Sequence, residues 1–337
     1  MSEILLTMSR GAIAENLIRG HVAVIGKNNE LIAHAGDPDY YTYMRSTAKP
    51  LQASAALECG AIDHFALSED ELAIMCSSHM GEEYHVKVLE SILQKIGLTE
   101  DALTLGADLS LSEEIRLQRL IAHIPPRKLF HNCSGKHCCM LAVCRYKGWP
   151  YDAYQLPDHP VQQLILDTVS SYTEMKKEDI TIGVDGCGVP VFAMPLRHMA
   201  IGYHNLISPD KLPEKRQQAA GRLVQAMTAH PELVSGNGTF TTELMRATGG
   251  RILAKLGADG VYCAAVLDRD ITVSFKIEDG NGQFLGPVML SILDQLAALS
   301  AKERELLAPF AAMDIHNCRG EKVGETKAVF SLVKDRI

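Results

Sequence analysis

The 337-residue chain has a single tryptophan, no cluster of Lys and Arg, and no apolar stretch of membrane-spanning length. Each absence excludes something. Lys and Arg number 33 against 41 Asp and Glu, a formal net charge of −8, and a phosphate backbone needs a clustered cationic face. Nucleic acid is therefore excluded as the main partner. A bilayer crossing needs about 20 successive apolar residues, so no membrane partner is expected. The opening Met1-Ser2-Glu3-Ile4-Leu5-Leu6 carries an acid and too short an apolar run for a secretion signal, which gives a cytoplasmic expectation. Internal repeats and low-complexity tracts are also lacking.

What is present describes an ordered globular protein: 47% hydrophobic and 22% charged residues, with prolines and glycines spread throughout. The length suits one domain spanning 1–337 or two closely packed lobes. Nine cysteines, an odd number without an export signal, read as thiols rather than as a disulfide framework. Cys59, Cys76, Cys144 and Cys263 have apolar neighbours and suit a core, whereas Cys133, Cys138, Cys139 and Cys187 lie in polar, glycine-bearing segments and are the metal candidates.

The chain is organised around Arg45-Ser46-Thr47-Ala48-Lys49-Pro50. Residues three apart on a helix share a face, so the Ser46 hydroxyl and Lys49 amine can meet in one hydrogen bond. Ser-x-x-Lys also occurs on solvated helices, but here Pro50 suits a first turn and Leu51 to Cys59 is small and apolar up to Gly60. Such a helix is buried, and a lysine in its first turn should lose its proton readily and serve as a neutral base.

Elsewhere the pattern predicts strands at Ile13 to Ile18, Val22 to Ile25 and Leu31 to Ala33, with a hairpin at Gly26-Lys27-Asn28-Asn29. Ser68 to Glu71 is a capping box for a short helix through Cys76. Ser78 stands before an amphipathic stretch, Tyr84 to Ile96, where it either caps the helix or meets an anion. A helix is expected over about Ser112 to Ala122. Phe130 to Cys139 is dense in reactive side chains and runs into a helix over Met140 to Lys147. After a helix to about Tyr172, a buried strand Ile180 to Val184 delivers Asp185-Gly186-Cys187-Gly188. His198 and His204 look like ordinary surface or core histidines. A helix over Pro213 to Ala229 leads to Gly236-Asn237-Gly238, a tight loop beside a small-molecule pocket rather than a phosphate loop. The last third reads as an antiparallel meander through Arg251 to Lys255, Val261 to Leu267 and Ile271 to Ile277, then a helix Pro287 to Leu299 and a charged tail.

Taken in order, Ser46-x-x-Lys49, Ser77-Ser78-His79-x-Gly81-Glu82, His131-Asn132-Cys133-Ser134-Gly135-Lys136-His137, Asp185-Gly186-Cys187-Gly188-Val189-Pro190 and Lys255-x-Gly257-Ala258-Asp259-Gly260-Val261 resemble the rhizobial-type (class 3) L-asparaginases over nearly the whole chain. The resemblance implies an α+β fold, a mixed and largely antiparallel sheet with packed helices, like the serine β-lactamases and glutaminases. It implies hydrolysis of L-asparagine to L-aspartate and ammonia. Ser46 would pair with Lys49 and Ser78 with a second lysine, Lys255 ahead of Lys276. A zinc ion would sit on Cys133, Lys136 and Cys187. Arg45, His79, Asn132, Asp185, Gly186 and Gly238 would contact substrate. Thr239 departs from the family, which tends to carry arginine after the second glycine of that loop.

Amide hydrolysis near neutral pH needs a nucleophile stronger than water, which a serine beside a desolvated lysine provides. Two ammonium groups in one small pocket repel, so at least one of Lys49 and Lys255 should be neutral. Either Ser46 or Ser78 attacks to give an aspartyl ester, with Ser46 slightly preferred. Two thiolates and one amine leave zinc a fourth position, and zinc is expected to position substrate without being strictly required. Glutamine or another small amide is an alternative substrate. A penicillin-recognising acyl enzyme leaves the cysteine–lysine cluster unused. A zinc-binding structural or interaction module would need a fourth ligand. A homodimer is expected from the prevalence of two-fold assemblies.

Overall fold

The computed structural model describes residues 1–334. The chain divides into two compact units, one formed by Met1–Thr47, Met194–His204 and the chain from Glu243 onward, the other by Ala48–Ala193 and Asn205–Thr242.

The first unit is built on an antiparallel sheet. Its main path runs Asp314–His316, Lys322–Ala328, Glu3–Arg10, Ile13–Ile25, Ile271–Ile277, Val261–Val266 and Ile252–Gly257, while Leu31–Ala35 pairs with both Ile13–Ile25 and Val333–Lys334. Central strands covered on both faces need continuous apolar runs rather than alternation. Val22-Ala23-Val24-Ile25 and Val261 to Val266 meet that need and are wholly buried. The runs expected at Ile13 to Ile18 and Val22 to Ile25 are one 13-residue strand. Two features escaped the sequence reading: the opening strand Glu3–Arg10, and the strands within the charged tail. Apart from the adjacent Leu5 and Leu6 they bury few apolar side chains, so hydrophobicity alone does not mark them.

The second unit is helical. Lys49–Cys59 is its central rod, buried from Lys49 to Leu57 and packed by Ser134–Lys147, Pro160–Thr173 and Glu214–Ala229. Its small side chains allow that encirclement. Pro50 occupies its first turn, and Gly60 (φ 91°) closes it in the left-handed conformation. The capping box is present: Ser68 N–H donates to Glu71 Oε2 at 2.8 Å and opens Glu69–Met75.

Three expectations change here. The helix expected from Met140 begins at Ser134, so the reactive motif forms its first turn. Ser78 does not cap a helix; the cap of Glu83–Lys95 is Glu82, four residues on. Thr181–Val184 is a strand, paired antiparallel with Pro190–Pro195, but it is exposed rather than buried, with Val184 76% accessible. Among the described residues no helix is long and apolar enough to cross a membrane.

The end of Glu69–Met75 meets the start of Ser134–Lys147 at Gly135, where a β-carbon would stand 2.0 Å from the Ile74 carbonyl oxygen. Only glycine permits this approach, which sets Cys76-Ser77-Ser78 against the Cys133 turn. Gly135→Ala should therefore destabilise the protein by about 1–3 kcal/mol through a forced backbone shift. Gly221→Ala, on a helix with open space beside it, should stabilise it by about 0.5–1 kcal/mol. Urea midpoints of both variants check the opposite signs.

Candidate active site

In the second unit one buried amine gathers three segments. Lys49 Nζ lies 3.0 Å from Ser78 Oγ, donates to Asn132 O at 3.3 Å, and also donates to Ser77 O. Ser77, Ser78 and Lys49 are all fully inaccessible. Lys49, expected beside Ser46, is thus bonded to Ser78. Burial pushes the Lys49 ammonium below its ordinary value and the nearby Lys136 cation adds to that, against an opposing pull from Cys133, Cys187 and Asp185. A neutral amine has two protons and one lone pair. The two carbonyls take the protons, and the lone pair is left for the Ser78 hydroxyl.

Ser78 is held from behind by its own N–H, which donates to Val234 O at 2.9 Å. The next residue, His79, accepts from Gly81 N–H at Nδ1 (3.0 Å), so its proton resides on Nε2 and points to Ser134 Oγ at 2.8 Å. Burial holds this imidazole neutral. His79 therefore ties the Ser78 segment to the first turn of Ser134–Lys147.

Beside this lies a second cluster. Cys133, Asp185 and Cys187 each offer one ligand atom, all within 4.8 Å of one another and all buried. A tight turn closed by Gly188 N–H to Asp185 O (2.9 Å), with Gly188 at φ 91°, brings Asp185 and Cys187 to the same side. Gly186 donates its N–H to Asp185 Oδ1 at 2.9 Å. The hydrogen bond from Cys187 holds the Cys133 thiol well below its ordinary value, aided by the Lys136 cation against the opposing cost of burial. Cys187 keeps the shared proton and is shifted up. Lys136 Nζ donates to Asp185 Oδ2 at 2.7 Å. Burial opposes both charges of that pair, yet Lys136 holds Asp185 down to about 2, while Cys133, Cys187 and Asp185 keep Lys136 protonated.

The donor set, two thiols with a carboxylate, suits a borderline-soft divalent ion. Asp185, assigned to substrate by resemblance, stands with the thiols; Lys136, assigned to the metal, is held as an ammonium by that same Asp185. Cys138 and Cys139 are core thiols instead, and burial pushes Cys138 up to about 12 and Cys139 further. Helical periodicity explains this, since Cys133 shares a face with Lys136 and His137 but not with residues five and six positions on.

The remaining site candidates lie partly in the first unit. Ser46 is buried in the tight turn Arg45–Ala48, which starts from a left-handed Arg45 (φ 50°) ion-paired to Asp259. Lys255 is fully buried on Ile252–Gly257, and its Nζ donates to Leu256 O at 2.8 Å. Gly257 backs closely onto this turn: a β-carbon there would stand 3.0 Å from Met44 O and 3.1 Å from Thr47 Cγ2. The Lys255 strand and the Ser46 turn are thereby packed together. Lys276 donates to Asp259 O at 2.7 Å and to the carbonyls of Ile277 and Glu278, a turn-closing role. Gly238, in the second unit, is exposed at φ 72°. Beside it Thr239 Oγ1 donates to Gly236 O at 2.9 Å.

Residues 6–328 match the profile of the L-asparaginase II family. The chain belongs to that family. L-asparaginase is accordingly its enzyme class, an amidohydrolase acting on a small-molecule amide. No curated protein matches it significantly. Among solved structures, a putative β-lactamase from Bacteroides dorei DSM 17855 is similar at 12% identity and a TM-score of 0.46, covering 82% of this chain and 93% of that one. A β-lactamase from Mycobacterium bovis is similar at 15% identity and a TM-score of 0.41, covering 87% and 95%.

The buried imidazoles give the family member a pH signature. Burial lowers His85 to about 4 and His137 to about 3 from 6.5, so both are neutral in the fold. Below about 6.5 the unfolded chain takes up protons that the native state refuses, so stability is complete above that pH and falls as pH drops toward 4. Urea midpoints measured at about pH 7 and pH 4.5 should show the fall, and His85→Gln should reduce it.

Proposed function

We propose that this L-asparaginase hydrolyses L-asparagine to L-aspartate and ammonia through the Lys49–Ser78 pair. The single observation that supports it is the hydrogen-bond count around Lys49, which leaves a lone pair facing the Ser78 hydroxyl. As Ser78 Oγ attacks the side-chain amide carbon, its proton passes to Lys49 Nζ. When the C–N bond breaks, Lys49 returns that proton to the leaving nitrogen, and ammonia departs from an aspartyl ester. Water then cleaves the ester, with Lys49 again taking a proton and Ser78 receiving one back.

Ser46 and Lys255 are assigned to the same chemistry by resemblance. His79 keeps the serine segment in place through Ser134, and Asn132, Asp185, Gly186, Gly238 and Arg45 are proposed substrate contacts. Cys133 and Cys187, with Asp185 or a deprotonated Lys136, would hold zinc. When bound, the metal would polarise or anchor a carboxylate or amide oxygen. Nine cysteines outside any disulfide, two of them proposed metal ligands, fit a reducing compartment such as the cytoplasm.

An ammonia-release assay on L-asparagine and L-glutamine tests the reading. Ser78→Ala and Lys49→Met should each lower turnover of L-asparagine about 10²–10⁴-fold. If Ser46→Ala abolished turnover while Ser78→Ala spared it, the nucleophile assignment would fail. Chelation should weaken activity without ending it; complete loss restored by zinc would reject the positioning role.

A further inference from the structure

One helical turn from Cys133 stands a buried imidazole whose outer proton has no acceptor. His137 is fully inaccessible on the helix Ser134–Lys147, and its main-chain N–H donates to Cys133 O at 3.3 Å. Its Nδ1 lies 2.6 Å from the hydroxyl of Tyr154, itself fully buried. That hydroxyl already accepts from Thr104 N–H at 3.1 Å, and among the described residues no other group is bonded to it. Tyr154 therefore donates to Nδ1, and the imidazole carries its own proton on Nε2. Nε2 is buried and unpartnered. Gln162 Nε2 donates to the Tyr154 carbonyl at 2.7 Å and fixes the relay from its other side.

A buried donor without an acceptor has lost its hydration and gained nothing in return, so such groups are rare and each calls for the partner that completes it. Helical side chains lean toward the amino terminus of their own helix, which carries the His137 ring over the Cys133 turn. The bond from Tyr154 holds one edge of that ring, and Nε2 occupies the other. A sulfur atom that ligates an ion keeps lone pairs able to accept an N–H, and outer donors of this kind orient a ligand and strengthen its hold on the metal. The two ring nitrogens thus have separable tasks: Nδ1 anchors the ring, and Nε2 is left to donate.

We infer that His137 is a positioning residue for the ion site, its Nε2–H bonding the Cys133 sulfur when that sulfur ligates a metal ion. The inference rests on the proposed reading that Cys133 and Cys187 hold zinc. Zinc affinity of the full chain, measured by competition with a chromophoric chelator, tests it. A glutamine amide reaches the place of Nε2 and keeps the outer donor, whereas an asparagine amide reaches only the place of Nδ1 and keeps the Tyr154 partner. His137→Asn should therefore weaken zinc binding about 10–100-fold, and His137→Gln less than about 3-fold. A histidine that only holds Tyr154 predicts the reverse order. Zinc bound equally by wild type and His137→Asn, or an equal loss in both variants, would overturn the inference and leave the zinc reading standing. A wild type that binds no zinc at micromolar concentration would overturn both. Should the variants misfold, wild type loaded with cadmium-113 decides. Scalar coupling between cadmium and the His137 Nε2 proton passes through an N–H···S bond and supports the inference; absence of that coupling rejects it.

Discussion

A lysine amine without water is the constraint on which the second unit depends. Lys49 is wholly inaccessible, and no carboxylate is bonded to it; its partners are two main-chain carbonyls and one hydroxyl. An isolated ammonium in such a place carries a large desolvation penalty, so neutralisation is the cheaper state. The carbonyls come from segments far apart in sequence, Ser77 and Asn132. The central helix therefore needs the end of Glu69–Met75 and the turn before Ser134–Lys147 in fixed positions before its first residue can be buried. The close approach at Gly135 provides that fixity.

The neighbouring Lys136 shows the opposite solution with the same residue type. It is as deeply buried, yet an Asp185 carboxylate and the Cys133 thiolate surround it, so it stays charged. Environment alone separates the two lysines. Pairs of like groups driven to different protonation states are what acid–base chemistry exploits, and here the charged member also raises the cost of protonating the neutral one.

Much of this was legible in the sequence, for identifiable reasons. The buried Lys49 helix followed from small apolar residues between Pro50 and Gly60, and the capping box at Ser68 from local rules that tertiary structure rarely overrides. The C-terminal meander followed from short β-like runs separated by glycine and aspartate turns. The partner of Lys49 did not follow. An i, i+3 argument presumes one continuous helix from Ser46, whereas a tight turn ends at Ala48 and the helix starts at Lys49 itself. Asp185 standing with the thiols was hidden as well, because its place depends on a turn closed through Gly188, and main-chain hydrogen bonds of that kind leave no periodic signal. The exposure of Thr181–Val184 was misjudged because an apolar run states what could be buried, not what covers it.

The helix Glu113–Ile121, which has no buried residue, is held by the same main-chain accounting. The carbonyls of Leu109, Ser110 and Gly81 lie where no strand or helix donor reaches them, and buried carbonyls need partners. Arg116 and Arg119 fill that need. Leu117, Leu120 and Ile121 are left exposed on that helix, and Ile124 follows it beyond the left-handed His123 (φ 53°). Arg119 also lies on Phe130, two residues before Asn132, and grips Gly81, three residues after Ser78. Whatever steadies this helix thus steadies both segments that enclose Lys49. The exposed helix and the buried amine are two ends of one polar scaffold.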